Sequence, residues 1–389
     1  MHQVLFAFLT MLVLAGVGVF VARVPLATAR RVWLILFTCV IAGAVTMMVA
    51  HAFVTRWGIR LGVQRDGLFS LIDGTAWRPF VYRRLTFDIV GWTSQLIEQF
   101  GPRRAVDTFV DQTLRDVWPN QIVELRLHRI EATVAHLLNW LTLFATVPVL
   151  AAWLTAVLDC SWLEALIGAC LAMALVPLTL IHGGYIYDSM ELLLWTALLV
   201  CIAKRWLFAV PFLFLLLSFN KESALALVPV LFPLLTRVVT RRRAVLWSLA
   251  LGVLAAAWLV FIRHRYQSSA GAAQEWSVRQ NLEFWSNPLT YFKVAPLFSP
   301  GIPAPRSGNV AVLLLLLIPL RFGFRQVQSD VKWAAIIAGA MMLPLFIISG
   351  ATDETRVLGP LFPFLLAISF EGVQQLFDPR KKRQAVRAT

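Results

Sequence analysis

Charged residues are scarce in this chain of 389 residues: Asp, Glu, Lys and Arg make up only 14% of it, and 59% is hydrophobic. A soluble globular protein has about a quarter of its residues charged. Apolar runs of about 18 residues or more, long enough to cross a bilayer, recur along the sequence. Because a helix satisfies its own backbone hydrogen bonds in lipid, the sequence predicts an all-α, polytopic transmembrane helical bundle.

Cysteines and familiar catalytic motifs are also few. The four cysteines, Cys39, Cys160, Cys170 and Cys201, lie in or beside apolar runs and do not have the spacing of metal ligands or of a disulfide framework. The sequence contains no P-loop, no GxGxxG after a strand, no HExxH and no GxSxG. It therefore gives no sign of the nucleotide-binding and hydrolase classes that those motifs mark.

The net charge is +14, from 35 Lys and Arg against 21 Asp and Glu. In a soluble protein this excess would suggest nucleic acid. In a membrane protein, basic loops orient the helices and contact anionic lipid. We therefore expect the lipid bilayer as a partner, and no nucleic acid.

Eleven apolar runs are candidate spans, and the whole chain 1–389 is predicted to be a single transmembrane domain. The first run lacks a basic n-region and is too long for the h-region of a signal peptide, so we expect it to be retained. The approximate limits of the eleven runs are 4–22, 33–54, 133–157, 162–181, 186–203, 205–219, 223–238, 244–263, 308–321, 333–349 and 357–374.

The short loops that carry Lys and Arg all fall on one side if these spans alternate. They include the loops around Lys204, Arg237 and Arg325 and the basic tail 375–389. Lys and Arg mark the cytoplasmic side of a membrane protein. This predicts a cytoplasmic C-terminus and an N-terminus outside.

Two long segments then lie on the outer face. In segment 55–132, apolar residues recur every three to four positions over 85–100, which predicts an amphipathic helix in the interface plane, and 103–114 would form a second. Segment 264–307 holds aromatic residues among polar ones and could cap a substrate groove or anchor a loop to the interface.

The stretch AWRPFVYRRL in the first outer segment concentrates cations: Arg78, Arg83 and Arg84 surround Tyr82, and Asp66 lies upstream. Guanidinium groups bind phosphate oxygens through two parallel hydrogen bonds, so this stretch is a candidate phosphate site. The alternative is that the arginines reach lipid headgroups while the aromatic residues form an interfacial belt.

Three more polar motifs lie at span ends on the same face, and each also has a purely structural interpretation. Asp188 could cap its helix, Lys221 could simply neutralise Glu222, and Asp353 could cap the last span. The candidate site residues in these motifs are Tyr187, Asp188, Asn220, Lys221, Glu222, Glu354 and Arg356.

The layout resembles the GT-C class of membrane glycosyltransferases, in which an acidic residue stands in a large outer loop with amphipathic helices along the membrane. Asp66 and the pattern at 85–114 carry this resemblance. The stretches RPFVYRRL, NKES and DETR also resemble those of uncharacterised bacterial membrane proteins that have a PFxYRxL-like stretch, a short N-(K/R)-E turn and a late E-x-R. The acidic loop here follows the second span instead of the first, and Asp66 is a single carboxylate instead of part of a pair.

The resemblance implies an enzyme of a bacterial inner membrane that transfers a sugar from a polyprenyl-phosphate carrier to a glycan or lipid acceptor on the periplasmic face. Asp66 would be the base, with Glu222 and Glu354 orienting the cations or replacing it. Arg78, Arg83, Arg84, Lys221 and Arg356 would hold the phosphate. The sequence predicts no metal ligands, and the use of a divalent metal stays open.

Three other functions remain open at this point. A transporter or flippase of a lipid-linked or anionic substrate would place its charges along a path through the bilayer. An O-antigen polymerase-like or ligase-like enzyme would share the outer arginines and the lipid-linked substrate. A non-catalytic subunit of an envelope assembly would use the same charges as contacts.

Overall fold

The computed structural model describes residues 26–56, 59–101, 129–179, 185–272, 276–296, 303–306, 308–352 and 354–377. Most of these residues are helical. The helices are α1 Leu26–Arg56, α2 Leu68–Ile72, α3 Arg84–Phe100, α4 Arg129–Val157, α5 Trp162–Thr179, α6 Ile186–Ala203, α7 Ala209–Asn220, α8 Ala224–Thr236, α9 Arg241–Arg265, α10 Val278–Ser286, α11 Val310–Gly323, α12 Ser329–Ser349 and α13 Phe362–Phe377.

Shorter elements connect some of these helices. In the described part of the chain, 3-10 helices cover Phe80–Tyr82, Pro288–Phe292 and Thr355–Leu361. Two strands of three residues, β1 Val294–Pro296 and β2 Pro303–Pro305, pair antiparallel. Both strands belong to the second predicted outer segment.

Within the residues that the structure describes, six helical stretches are long and apolar enough to cross a membrane, which suggests a membrane protein. Four shorter apolar helices accompany them; α7, for example, has 12 residues and a length of about 18 Å, less than the roughly 30 Å of a hydrocarbon core. The six stretches are Val32–Val54, Ile130–Val157, Ile186–Ala203, Arg241–Arg265, Ser329–Ser349 and Thr355–Phe377.

Each of the ten predicted spans from 33–54 to 357–374 overlaps one of the helices α1 to α13. The first predicted run, 4–22, lies outside the described residues, as do the second amphipathic helix at 103–114 and the basic tail from 378 onward. The chain divides into two compact units, 1–44 and 45–389. The candidate site residues all belong to the second unit.

Helices α8 and α12 run antiparallel. Arg237, directly after α8, pairs with Asp330 in the first turn of α12 at 3.5 Å. At their other ends, Ser223 precedes α8 and Arg356 follows α12, and both contact the first turns of α6; Ser223 donates to Glu191 at 2.8 Å. The polar turns before α8 and after α12 therefore meet at the same end of the helices.

The turn after α12 is fixed to the core by two tryptophans. The indole N–H of Trp195 on α6 donates to the carbonyl of Pro360 at 2.9 Å, and that of Trp153 on α4 donates to the carbonyl of Pro363 at 3.0 Å. Both indoles also meet the ring of Phe364 edge-on. These contacts hold the 3-10 helix that carries Arg356 against α6.

The amphipathic helix predicted over 85–100 is confirmed as α3, and its apolar stripe points outward. Trp92, Leu96 and Phe100 are more than half exposed, whereas Phe87 and Val90 on the other face are buried. An apolar stripe exposed on an amphipathic helix is the arrangement expected for a helix lying on a membrane surface.

Candidate functional site

The charged side chains of the separate motifs meet at one end of the second unit, where α6 begins, where α7 turns into α8, and in the turn before α13. We call this group the charged cluster. Its members are Arg60, Asp66, Arg83, Tyr185, Tyr187, Asp188, Glu191, Lys221, Glu222, Glu354 and Arg356. The sequence-based expectation that these motifs converge is met for most of the candidate residues.

Asp188 and Glu191 form the centre of the charged cluster. They lie three residues apart on α6 and therefore share one face of the helix. Lys221 bridges them, with its Nζ 3.1 Å from Asp188 Oδ1 and 2.6 Å from Glu191 Oε2. Arg356 Nη1 binds the second oxygen of Asp188 at 2.7 Å and also pairs with Glu354. Three distant parts of the chain are thus joined through two carboxylates.

Asp188 also has the capping role that was the alternative interpretation. Its Oδ2 accepts a hydrogen bond from the backbone N–H of Tyr185 at 3.2 Å, at the start of α6. A carboxylate in the first turn is stabilised by the helix dipole. Capping and ion pairing therefore coexist in one side chain.

Arg83 and Glu222 form a two-bonded ion pair. Arg83 Nε lies 3.1 Å from Glu222 Oε2, and Nη2 lies 2.7 Å from Oε1, while Nη1 donates to the hydroxyl of Tyr187. Burial disfavours both charged forms, but the attraction between the partners outweighs it. As a result the pKa of Glu222 lies below its usual value and the pKa of Arg83 lies well above its own.

Asp66 lies at the edge of the cluster with two partners on one oxygen. Its Oδ2 accepts from Arg60 Nη1 at 2.9 Å and from the hydroxyl of Tyr185 at 2.6 Å. Its Oδ1 is buried and has no hydrogen-bond partner among the described residues. Burial, above all, raises the pKa of Tyr185, so this phenol stays protonated and donates its hydrogen bond to Asp66.

Two stacked tyrosines connect Asp66 to the rest of the cluster. The rings of Tyr185 and Tyr187 are 4.9 Å apart and nearly parallel. The guanidinium of Arg356 lies 4.6 Å from the centre of the Tyr185 ring, and that of Arg83 lies 4.7 Å from the centre of the Tyr187 ring. Cations over aromatic faces are attracted to them, most strongly away from water.

Asn220 has a positioning role. It ends α7 and is fully buried. Its Nδ2 donates to the backbone carbonyl of Tyr187 at 2.8 Å, and its Oδ1 accepts from Thr86 Oγ1 at 2.7 Å. It thereby joins α7 to α6 and α3. The next residue, Lys221, has extended backbone, which ends the helix and places Lys221 against α6.

Arg84 belongs to a different group. Its guanidinium donates to the carbonyls of Leu71 and Ile72, the latter at 3.0 Å, and pairs with Asp88 one turn along α3. A buried arginine that binds the last carbonyls of α2 and a carboxylate of α3 fixes these two helices to each other. The structure therefore separates Arg84 from its neighbour Arg83.

Tyr82 lies beside the cluster, whereas Arg78 contacts the segment after α9. The backbone N–H of Arg78 donates to the carbonyl of Ala270, in the segment after α9, at 2.8 Å. The Nε of the Arg78 side chain is buried and has no hydrogen-bond partner among the described residues. Tyr82 is buried and lines a small cavity, with room for about one water molecule, that Lys221 and Glu222 also line.

Four contributors to the charged cluster and its contacts are absent from the sequence-based list: Arg60, Tyr185, Glu191 and Ser223. Glu191 carried a usable signal, because a carboxylate inside an otherwise apolar helix is costly unless it is paired. The other three are ordinary residues at loop positions, and their roles emerge only from the fold. Asp353 lies outside the described residues.

Metal binding has no visible basis in the part of the chain that the structure describes. No group of three or more His, Cys, Asp or Glu side chains there could hold a metal ion. The carboxylates of the cluster are instead bound by Arg and Lys. The cluster offers an acceptor oxygen on Asp66 and a bidentate cation on Arg83.

No protein-family model and no curated protein matches the sequence. The chemistry of the charged cluster therefore carries the functional proposal.

Proposed function

We propose that the protein is a GT-C-like membrane glycosyltransferase that moves a sugar from a polyprenyl-phosphate carrier to a glycan or lipid acceptor. The observation that carries the proposal is the buried carboxylate of Asp66, with one oxygen bound and the other free to accept, beside a group of cations. Sugar transfer to a hydroxyl needs a base for the acceptor and positive charge for the departing phosphate.

The contacts support a role for each residue of the proposed site. Asp66 would accept the proton of the acceptor hydroxyl through Oδ1, while Arg60 and Tyr185 hold Oδ2. The phosphate would bind among Arg83, Lys221 and Arg356. Glu222 and Glu354 would orient these cations, and Arg84 would serve the packing of α2 on α3 and not the substrate.

The proposed topology has eleven spans, with the charged cluster at the periplasmic face and the C-terminus in the cytoplasm of a bacterial inner membrane. Arg237 and Asp330 lie at the opposite ends of α8 and α12 from the cluster, in the region that is rich in Lys and Arg. That distribution of basic residues supports a cytoplasmic position for the opposite end.

One feature favours an enzyme over a transporter. The ion pairs of the cluster gather at helix starts and turns at one end, whereas a transport path would place charges through the depth of the bilayer. A one-sided site suits a reaction whose lipid donor enters from one leaflet.

The test is a transfer assay on purified protein, with radiolabelled polyprenyl-phosphate sugars as donors and a membrane extract as acceptor. We expect wild type to transfer label, and Asp66→Asn to lose at least about 100-fold of the rate, the scale of a lost general base. Asp73→Asn, an exposed carboxylate seven residues away, is the matched control and should keep wild-type activity.

Two outcomes would reject the proposal. If Asp66→Asn transfers sugar at the wild-type rate while folded, the assignment of the base is wrong. If no donor is used but a fluorescent lipid-linked sugar crosses vesicles that contain the protein, the transporter explanation replaces the enzyme.

A further inference from the structure

Glu222 differs from the other carboxylates of the charged cluster in its exposure and its position. Its side chain is 25% exposed, compared with 2% for Asp66 and 3% for Glu191. It lies in the turn between α7 and α8, where no helix restricts its side chain. It is thus the carboxylate that can leave its partner most easily.

The pair that Glu222 makes with Arg83 has the geometry of phosphate recognition. Two parallel N–H···O bonds, from Nε and Nη2, bind the two oxygens of the carboxylate. The same guanidinium fork binds two oxygens of a phosphate. A phosphodiester carries one negative charge at neutral pH, as a carboxylate does, so replacing one by the other leaves the net charge around Arg83 unchanged.

Arg356 is less suited to such an exchange. It has two carboxylate partners, and each has a second bond. Asp188 also binds Lys221, so displacing it would disturb two cations at once, and Glu354 also accepts from the backbone N–H of Ala351 at 2.8 Å. Glu222 is held by hydrogen bonds to Arg83 alone among the described side chains. Removing it would leave Asp188, Lys221 and Arg356 in place.

A small cavity lies beside Glu222, the partner of Arg83. The small cavity is lined by Tyr82, Lys221, Glu222 and, from α9, by Trp258 and Leu259. It is too small for a phosphate while Glu222 occupies its edge. Once Glu222 turns away, the freed volume joins the cavity, and Lys221 lines it as a second cation.

We propose that Glu222 is an internal stand-in for a phosphodiester, which binds by replacing this carboxylate on the fork of Arg83. The inference rests on the proposed function in one respect, that the phosphodiester is the headgroup of a polyprenyl carrier. Until the phosphodiester binds, Glu222 would orient the guanidinium of Arg83 and occupy its fork through these two hydrogen bonds.

The test measures anion binding in a phosphate-free maltoside detergent by isothermal titration calorimetry. The probes are farnesyl methyl phosphate, a phosphodiester with a short polyprenyl chain; dimethyl phosphate, a soluble phosphodiester; and farnesol, which lacks the phosphate. The proteins are wild type, Glu222→Gln, Arg83→Lys and Glu283→Gln.

Glu222→Gln should bind farnesyl methyl phosphate at least about tenfold more tightly than wild type. In wild type, the carboxylate of Glu222 occupies Arg83 most of the time, and the apparent affinity is reduced to the fraction of molecules in which Arg83 is free. Glu283→Gln removes a carboxylate from an exposed pair with Arg279 and makes the same change in net charge, so it should bind like wild type. Arg83→Lys, which keeps the charge but loses the fork, should bind about tenfold more weakly.

Unchanged or weaker binding by folded Glu222→Gln would overturn the proposal, as would equal gains in Glu222→Gln and Glu283→Gln. If Glu222→Gln does not fold, Glu222→Asp provides an independent check. Its shorter side chain reaches Arg83 less well, so this variant should also bind more tightly than wild type. A gain for farnesyl methyl phosphate alone identifies a lipid headgroup, and an equal gain for dimethyl phosphate identifies a free phosphodiester.

The two proposals can fail separately. Sugar transfer without the gain in Glu222→Gln would reject the stand-in and keep the enzyme. The gain in binding without transfer from any donor would keep the stand-in and reject the glycosyltransferase.

Discussion

Lys221 contacts two carboxylates of α6 and is almost completely buried, so its charge compensates both Asp188 and Glu191. Lys221→Ala would leave Glu191 without a cation, because Asp188 keeps its pair with Arg356. Breaking a buried ion pair from one side costs about 3–5 kcal/mol, because the remaining charge stays buried. We expect a loss of this size in the free energy of unfolding, measured by denaturant titration in detergent.

The matched control for this prediction is the pair of Arg279 and Glu283 on α10. It has a comparable distance, 2.7 Å, but Arg279 is 93% exposed and Glu283 is 64% exposed. Exposed pairs are screened by solvent and contribute little. Arg279→Ala should therefore leave the unfolding curve close to that of wild type; an equal loss in both variants would show that burial is not what makes Lys221 important.

The ion pair between Arg83 and Glu222 predicts that the free energy of unfolding decreases in acid. The folded pKa of Glu222 is depressed below its usual 4.5, so its stabilising contribution is complete above that pH and is lost as the pH falls toward the folded pKa. The pKa of Lys221 is raised, since the carboxylates of Glu191 and Asp188 outweigh the opposing effect of burial. Its contribution is therefore complete below its usual 10.5 and is lost only above it.

The unfolding temperature should thus stay level between about pH 5 and pH 10 as far as these two groups are concerned, and fall below about pH 4.5. The fall should be shallower in Glu222→Gln, which has no proton to take up at this position. Equal slopes for the two proteins in scanning calorimetry would contradict the assignment of this acid limb to Glu222.

The residue scale also shows where sequence reasoning stops. Asp188, Lys221, Glu222 and Arg356 are predictable because each stands at the end of an apolar run. Arg83 and Arg84 are not distinguishable in this way. Arg83 precedes α3 with non-helical backbone, whereas Arg84 is its first helical residue, and the two side chains point to different partners: Arg83 contacts Tyr187 of α6, and Arg84 contacts the end of α2. Which arginine meets which partner depends on the packing of α3.

At the scale of elements, the period of α3 predicted the helix but not its surroundings. Leu96 and Phe100 have the spacing that would also be typical of a helix packed on a core. Core and membrane surface are both apolar, so the pattern alone cannot separate them. In the structure, the buried face carries Phe87 and Val90 together with the small and polar residues Thr86, Gly91 and Ser94, whereas Leu96 and Phe100 are exposed.

Two side chains attach helix α10 to the end of α12: Trp285, whose indole N–H donates to the carbonyl of Thr352 at 3.0 Å, and Asn281. Asn281 is buried, and its Nδ2 lies 2.9 Å from the carbonyl of Ile347 and 2.6 Å from that of Gly350. Asn281→Asp would replace this donor by an acceptor facing carbonyl oxygens. Leaving such buried groups unpaired costs about 1–3 kcal/mol or more. We expect α10 to detach, seen as faster proteolysis within 276–296.

Asn287 provides the control. It is exposed, and its Oδ1 accepts a hydrogen bond from the backbone N–H of Leu289 at 3.0 Å. Aspartate can accept the same bond, so Asn287→Asp should be cleaved like wild type. Equal protection of α10 in Asn281→Asp would mean that other contacts hold this helix.

At the scale of the whole second unit, the two ends of the helices differ in the kind of charge they carry. One end collects the paired carboxylates and cations of the charged cluster. The other carries runs of Lys and Arg, such as the three arginines at 241–243 that open α9.

Length explains why the four shorter helices were predictable as apolar runs but not as crossings. A run of 12 to 16 residues can end inside a bilayer or extend through its polar turns.

The difference between the two ends predicts their exposure to opposite sides of the membrane. After replacement of Cys39, Cys160, Cys170 and Cys201 by serine, single cysteines can be placed at Ser268, exposed in the turn after α9, and at Arg242, exposed at the start of α9. The 25 residues of α9 span about 37 Å, enough to cross the hydrocarbon core. A membrane-impermeant maleimide should label Ser268→Cys from the periplasmic side of spheroplasts and Arg242→Cys only in inverted vesicles. Labelling of both from the same side would contradict the crossing by α9, and a reversed pattern would move the charged cluster to the cytoplasm, where a donor lipid of the outer leaflet could not reach it.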